Sequence, residues 1–220
     1  MPKFSPSARR ALAEERSAQI LDAAALVFAA KGFERATIAD VARSAGLAEG
    51  TIYNYFKNKN DLLVSLPHRM IEPTVESVSA QFATSTTVGP FSPEQMLTLA
   101  AQKLISTMRA NAPIFRALLS ALPSMKPAAR EKYAEQTVMY AGGVLESYFQ
   151  SQIDGGVIRK DLSPRILARA FIGMFFPFLM LGDVLQIESE MIRDYDQLIA
   201  QVVPLFLNGI LARPTERKIQ

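Results

Sequence analysis

Apolar residues recur at spacings of three and four along nearly the whole chain, the period of a helix with one buried face. Ile20, Ala23, Ala24, Val27 and Phe28 mark such a face over residues 14–31, and Gly32 is a natural stop. Thr37 is a good N-cap, with Asp40 three residues on as its capping-box partner, and Ile38, Val41, Ala42 and Ala45 form the apolar side of a second, short helix. Gly46 suits a tight turn that needs positive φ. A third helix is expected from Ala48 or Glu49 to about Phe56, with Ile52 and Phe56 inward. Asn58 can cap a fourth, carrying Leu62, Leu63 and Leu66 toward Phe82, in which Pro67 and Pro73 predict a kink or break.

The stretch 83–93 (ATSTTVGPFSP) reads as a linker. Helical patterns resume over about 93–110, 113–122, 128–152, 164–186 and 194–211, separated by Pro, Gly and Asn-rich stops. Nothing alternates with the period of a strand. The chain is expected to be all-α, with a small N-terminal bundle and a larger C-terminal one.

Charge divides along the same line. Residues 1–69 hold 10 Lys and Arg against 7 Asp and Glu, whereas the remainder is balanced, so the whole net charge of +3 lies in the first third. That asymmetry suits an N-terminal part that meets polyanions. The absence of Cys and the single histidine, His68, leave little for nucleophilic, general-base or metal chemistry, and no metal or cofactor is expected. The N-terminus lacks the apolar core of a signal peptide, and the apolar run 170–181 (AFIGMFFPFLML) falls short of the roughly 20 residues of a membrane span, so a cytoplasmic chain with no membrane partner is expected.

Two short helices around a glycine turn make the pattern of a helix-turn-helix, whose second helix enters the DNA major groove. With Ile52 and Phe56 as anchors, Thr51, Tyr53, Asn54 and Tyr55 point outward, where their polar groups suit phosphates, while Asn54 or Glu49 reaches base edges. Lys57 and Lys59 stand at the next helix start, ready for a phosphate. The same residues also suit plain packing and a solvated loop.

The run TIADVARSAG from Thr37 to Gly46, GTIYNYFKNK from Gly50 to Lys59, and Asp61-Leu62-Leu63 closely resemble the DNA-binding domain of the TetR family of transcriptional regulators, and the segment ALVFAAKGFE is similar to the end of that family's first helix. The resemblance implies phosphate contacts from Thr37 and Lys59, and backbone or thymine-methyl contacts from Thr51, Tyr53 and Tyr55. Ala39 stands where many members carry a long basic or polar side chain. Ala39, Glu49 and Gly50 complete the expected DNA-facing set.

Beyond that domain the resemblance implies architecture alone: a helical part that binds a small molecule and forms a homodimer through its last two long helices. The expected domains are a flexible basic arm (1–13), the helix-turn-helix domain (14–60), an effector-binding and dimerisation domain (61–213) and a tail (214–220). Phe171, Met174, Phe175, Phe178, Leu181, Leu198, Val202 and Leu205 are expected at the dimer interface. Met108, Phe115, Met139, Phe149, Phe175 and Phe178 are expected to line an apolar or aromatic effector pocket, unless they are simply core. Gly142-Gly143 marks either close helix packing or room for a ligand. The expected function is a ligand-responsive regulator, a repressor in the first instance, that binds a palindromic duplex operator and is released by the effector. An activator of the same fold, a helical adaptor or an enzyme are the competing readings.

Overall fold

A computed structural model describes residues 5–85, 92–187 and 194–211. In chain order the helices are α1 (Pro6–Lys31), α2 (Ile38–Ala45), α3 (Glu49–Tyr53), α4 (Lys59–Ser85), α5 (Pro93–Ala110), α6 (Ala112–Ala121), α7 (Pro127–Tyr133), α8 (Tyr140–Asp154), α9 (Pro164–Leu179) and α10 (Tyr195–Ile210). A π-helical turn, Ala134–Met139, joins α7 to α8, and another, Met180–Val184, extends α9. An isolated antiparallel bridge between Ile158 and Leu211 is the extended pairing found among the described residues.

Contacts divide the chain into two compact units. One holds the chain up to Met70 together with Asn111–Thr137; the other holds Ile71–Ala110 and everything from Val138 onward. The division departs from the boundary expected between 60 and 61. Half of α4 and the whole of α6 and α7 belong with the N-terminal helices, because Leu62, Leu63, Val64 and Leu66 share one core with Ile20, Phe28, Ile52, Ile114 and Leu118.

The first unit's core explains why α4 is not broken at Pro67. Proline removes one backbone donor, but the surrounding turns stay anchored by Leu62, Leu63, Val64 and Leu66, each with no exposed surface. The expected flexible arm is also corrected: helix begins at Pro6, with the Ser5 hydroxyl accepting the Ala8 amide at 3.2 Å and Arg10 paired to Glu14 at 3.0 Å. Ser5 as cap and Pro6 in the first turn, followed by Ala, Arg and Glu, supply the local preference. The expected linker lies mostly outside the described residues, and its first part, through Ser85, belongs to α4.

The second unit is built around aromatic rings. Phe171 lies 5.4 Å from Phe175 and 5.3 Å from Phe206, Phe149 lies 5.8 Å from Phe206, and Phe82 stacks on Tyr148 at 4.2 Å between centroids. Around them pack Met96, Leu97, Leu145, Leu167 and Val203. The stretch Pro164–Val184 runs 21 residues at mean hydropathy 1.6, so by length and composition it does meet the requirement for crossing a bilayer, contrary to expectation. The length beyond the run 170–181 comes from the residues of α9 before that run as well as from the end of the π turn after it. One stripe of it, Leu167, Ala168, Phe171, Phe175 and Leu179, is buried in the core of this unit.

Candidate functional site

The helix-turn-helix is set by two caps and a glycine. The Thr37 hydroxyl accepts the Asp40 amide at 3.2 Å while the Asp40 carboxylate accepts both the Thr37 amide, at 3.2 Å, and its hydroxyl, at 2.9 Å. Lys31 at 2.6 Å and Arg43 at 3.3 Å complete the surroundings of Asp40. The bond from Lys31, followed by that from Thr37, holds its carboxyl down at about 2. Gly46 then closes α2 in the left-handed region at φ 66° and ψ 32°, where a side chain would be strained. Gln19 ties this corner to α1 by donating to the Ala45 carbonyl at 2.8 Å.

Helix α3 is shorter than expected. It ends at Tyr53, and the Tyr55 and Phe56 amides both close on the Ile52 carbonyl, at 3.0 and 2.9 Å. Ile52 is fully buried and Phe56 nearly so, and between these anchors Tyr53 is 53 % exposed and Tyr55 37 %. Glu49, Gly50, Asn54 and Lys57 are exposed as well, while Thr51 and Ala39 are half-exposed. Core demand does not account for rings that face outward; the packing alternative fails for Tyr53 above all.

Two expected phosphate ligands are otherwise engaged. The Lys59 ammonium donates to the carbonyls of Phe33, Glu34 and Ala36 at 2.8, 3.1 and 3.2 Å and lies 4.4 Å above the Phe33 ring, so its N–H groups are committed to the α1–α2 loop. Thr37 is exposed, but its hydroxyl serves the cap. Asn58 caps α4 as expected, accepting the Asp61 amide at 3.0 Å, and Asp61 in turn accepts the Lys57 amide at 3.0 Å. Lys132 of α7, invisible to local pattern because it lies 71 residues away, closes on Asp61 at 2.6 Å.

Residues 20–66 match the model of the family described as bacterial regulatory proteins, tetR family. Over those residues the chain is similar to the TetR family of transcriptional regulators. The fatty acid metabolism regulator protein of Bacillus subtilis is 28% identical over 155 residues, 70% of this chain and 77% of that one. Among solved structures, Thermus thermophilus FadR, a TetR-family transcriptional repressor in complex with lauroyl-CoA, is similar at TM-score 0.69 and 20% identity, covering 91% of this chain and 97% of that one. The transcriptional regulator FadR from Bacillus subtilis in complex with stearoyl-CoA is similar at 0.66 and 24%, covering 87% and 98%. These relatives are regulators rather than enzymes, and among the described residues no His, Cys, Asp or Glu group is arranged to hold a metal.

The second unit holds two adjoining cavities. A narrow slot of about 60 Å³ runs between α4, α5, α8 and α9, walled by Ile71, Val78, Leu104, Leu145, Phe171 and Ile172. Its polar feature is the Thr74–Thr107 hydroxyl pair at 2.6 Å. A groove of about 540 Å³ lies against Phe82, Met139, Tyr140, Gly143 and Tyr148. Val144 borders both. Burial pushes the Tyr148 hydroxyl up to about 12, so it is a neutral donor. A Cβ at Gly142 or Gly143 would meet nothing within 4 Å; the pair marks space, not close helix packing.

The expected pocket residues need correction. Met139 lines the groove, but Phe149 and Phe175 have no exposed surface and belong to the core, Met108 and Phe178 pack against that core, and Phe115 is buried on α6 in the first unit. Large aromatic side chains at helical spacing filled the interior instead of lining a hole. The expected interface is corrected in the same way: Phe171 and Phe175 are sealed inside one chain and offer nothing to a partner. Met174, Phe178, Leu198 and Val202 are half-buried, and Leu181 and Leu205 are exposed. Ile166 and Phe176, outside the expected interface set, are exposed on α9.

Proposed function

We propose that this chain is a homodimeric transcriptional repressor that reads a two-fold duplex operator and is released by an apolar, acyl-chain effector. The observation that carries the DNA reading is the exposed Tyr53–Tyr55 turn held by buried Ile52 and Phe56. Tyr hydroxyls and the Asn54 amide suit phosphates and base edges, and Lys57 beside them adds positive charge. A role on DNA also supports the expected cytoplasmic location.

Exposed apolar positions on the last two helices support pairing of two chains. Ile166, Phe176, Leu181 and Leu205 stand out from α9, its π extension and α10, and a symmetric partner presenting the same residues would cover them. With the domains read this way, the first unit holds the helix-turn-helix and the second the effector and partner surfaces.

The slot's walls are aliphatic and aromatic, which favours a chain of methylenes over a polar or planar ligand. Two structural relatives are complexes with lauroyl-CoA and stearoyl-CoA, and the Bacillus subtilis relative is a fatty acid metabolism regulator. An acyl chain in the slot is therefore the effector class with most support. The slot is too narrow as it stands for a long chain, so binding must widen it, and a ligand that prefers the widened state weakens any DNA complex that prefers the narrow one. The test is a gel shift of the duplex upstream of the chain's own gene, followed by titration with long-chain acyl compounds. A shift that such compounds reverse supports the proposal; a shift indifferent to them removes the effector assignment.

A further inference from the structure

Beside the recognition turn the first unit opens a groove of about 610 Å³. Tyr55, Lys57, Asn58 and Asn60 line one part of it, and Lys126 and Lys132, just before and on α7, line another. Three lysines thus face a single carboxylate, Asp61. That carboxylate is already engaged by Lys132 at 2.6 Å and by the Lys57 amide at 3.0 Å. Burial pushes its pKa up, but these bonds outweigh burial and hold it below the ordinary value, so it stays ionised and cancels Lys132. Lys57 and Lys126 are exposed and leave the groove positive. Asn58 accepts the Asp61 amide through Oδ1, and its Nδ2 is turned the other way as a donor.

We propose that this groove holds the sugar-phosphate backbone of the duplex just outside each half-site, with Lys126 as a phosphate ligand supplied from beyond the helix-turn-helix. The inference rests on the reading of the Tyr53–Tyr55 turn as the DNA face and extends it. Two observations choose this occupant. Tyr55 and Lys57 belong both to the turn and to the groove wall, so a duplex seated on the turn continues into the groove. The lining is lysine and amide donors with its one acid neutralised, which complements a polyanion and repels a cationic or acid-seeking partner. Nothing here reads bases, so the groove would add affinity without sequence preference.

The test compares two duplexes, one just spanning the two half-sites and one lengthened at each end by about half a helical turn, roughly five base pairs of arbitrary sequence. Wild-type chain should bind the longer duplex several-fold more tightly, and its plot of log affinity against log salt should steepen by roughly one for each phosphate gained. Lys126→Glu should lose that gain, so that its two affinities and two salt slopes coincide, and Lys126→Ala should fall between. Equal wild-type affinity for the two duplexes overturns the proposal, as does a full gain retained by Lys126→Glu. A wild-type chain that binds neither duplex refutes the DNA reading itself, and the groove assignment with it.

Discussion

The Lys59 ammonium lies 2.8 Å from the carbonyl oxygen of Phe33 and 4.4 Å above that residue's ring. It fastens the start of α4 to the loop that leads into α2. Lys59→Ala should therefore cost stability, about 2 kcal/mol for carbonyls left without a charged donor, or a fall in Tm of several degrees. Well below the new Tm, the salt slope of DNA binding should hardly change. A normal Tm with a shallower slope would return Lys59 to the role of phosphate ligand.

Tyr53 offers the opposite signature. Its ring is 53 % exposed, so Tyr53→Ala should leave Tm within about a degree of wild type. Affinity for the operator should fall about tenfold, the effect of losing a well-placed contact of roughly 1 to 2 kcal/mol. Thermal melts and fluorescence anisotropy on the same preparation separate the two residues.

Asp40 links the start of α2 to pH. Its carboxyl is held at about 2 against an ordinary 3.8, so the native state favours the ionised form. The resulting stabilisation is complete above the unfolded value, near pH 4, and is lost as pH falls toward 2. Denaturant midpoints should drop through that window in the wild type. Asp40→Asn should start lower at neutral pH and decline less steeply on acidification.

Burial separates the residues proposed for a dimer interface from the core residues that share their helices. Leu205 is 67 % exposed and Phe171 is fully buried. Leu205→Arg should give a folded chain of monomer mass by sedimentation, with little operator binding, because two linked half-sites are no longer engaged at once. Phe171→Ala should instead lower stability by about 3 to 5 kcal/mol through the cavity it leaves.

How far the residues announced this arrangement differed between the two units. The caps at Thr37, Asn58 and Asp61, the glycine turn and the inward pair Ile52 and Phe56 were legible because each depends on neighbours within a few positions. The joining of Lys132 to Asp61 and of Ile114 to the first core was not, since such pairings are set by the whole fold and leave no local trace. In the second unit the helices were legible, but not their insides. A Phe at helical spacing reads the same whether it fills the interior, as Phe149 does, or faces a cavity. Lys59 misled for a different reason: a basic residue at a helix start suits a phosphate and a ring of carbonyls equally well, and only the position of the α1–α2 loop decides.

The space left by glycine gives a further handle on regulation. A side chain at Gly143 meets nothing within 4 Å and projects toward the groove that adjoins the slot. Gly143→Phe should fold, bind operator as the wild type does, and fail to release it when an acyl effector is added. Release curves in a gel shift would show this directly; unimpaired release would mean that the effector does not reach from the slot into the groove.

The most direct measurement is a hydroxyl-radical footprint of the wild-type chain and of Tyr53→Ala on the duplex upstream of its gene. A dimer reading two half-sites should give protected backbone in two symmetric patches centred about one helical turn, roughly 34 Å, apart or at a similar matched separation, and protection that fades in the variant. A single unsymmetric patch, or a footprint that Tyr53→Ala leaves intact, would contradict it.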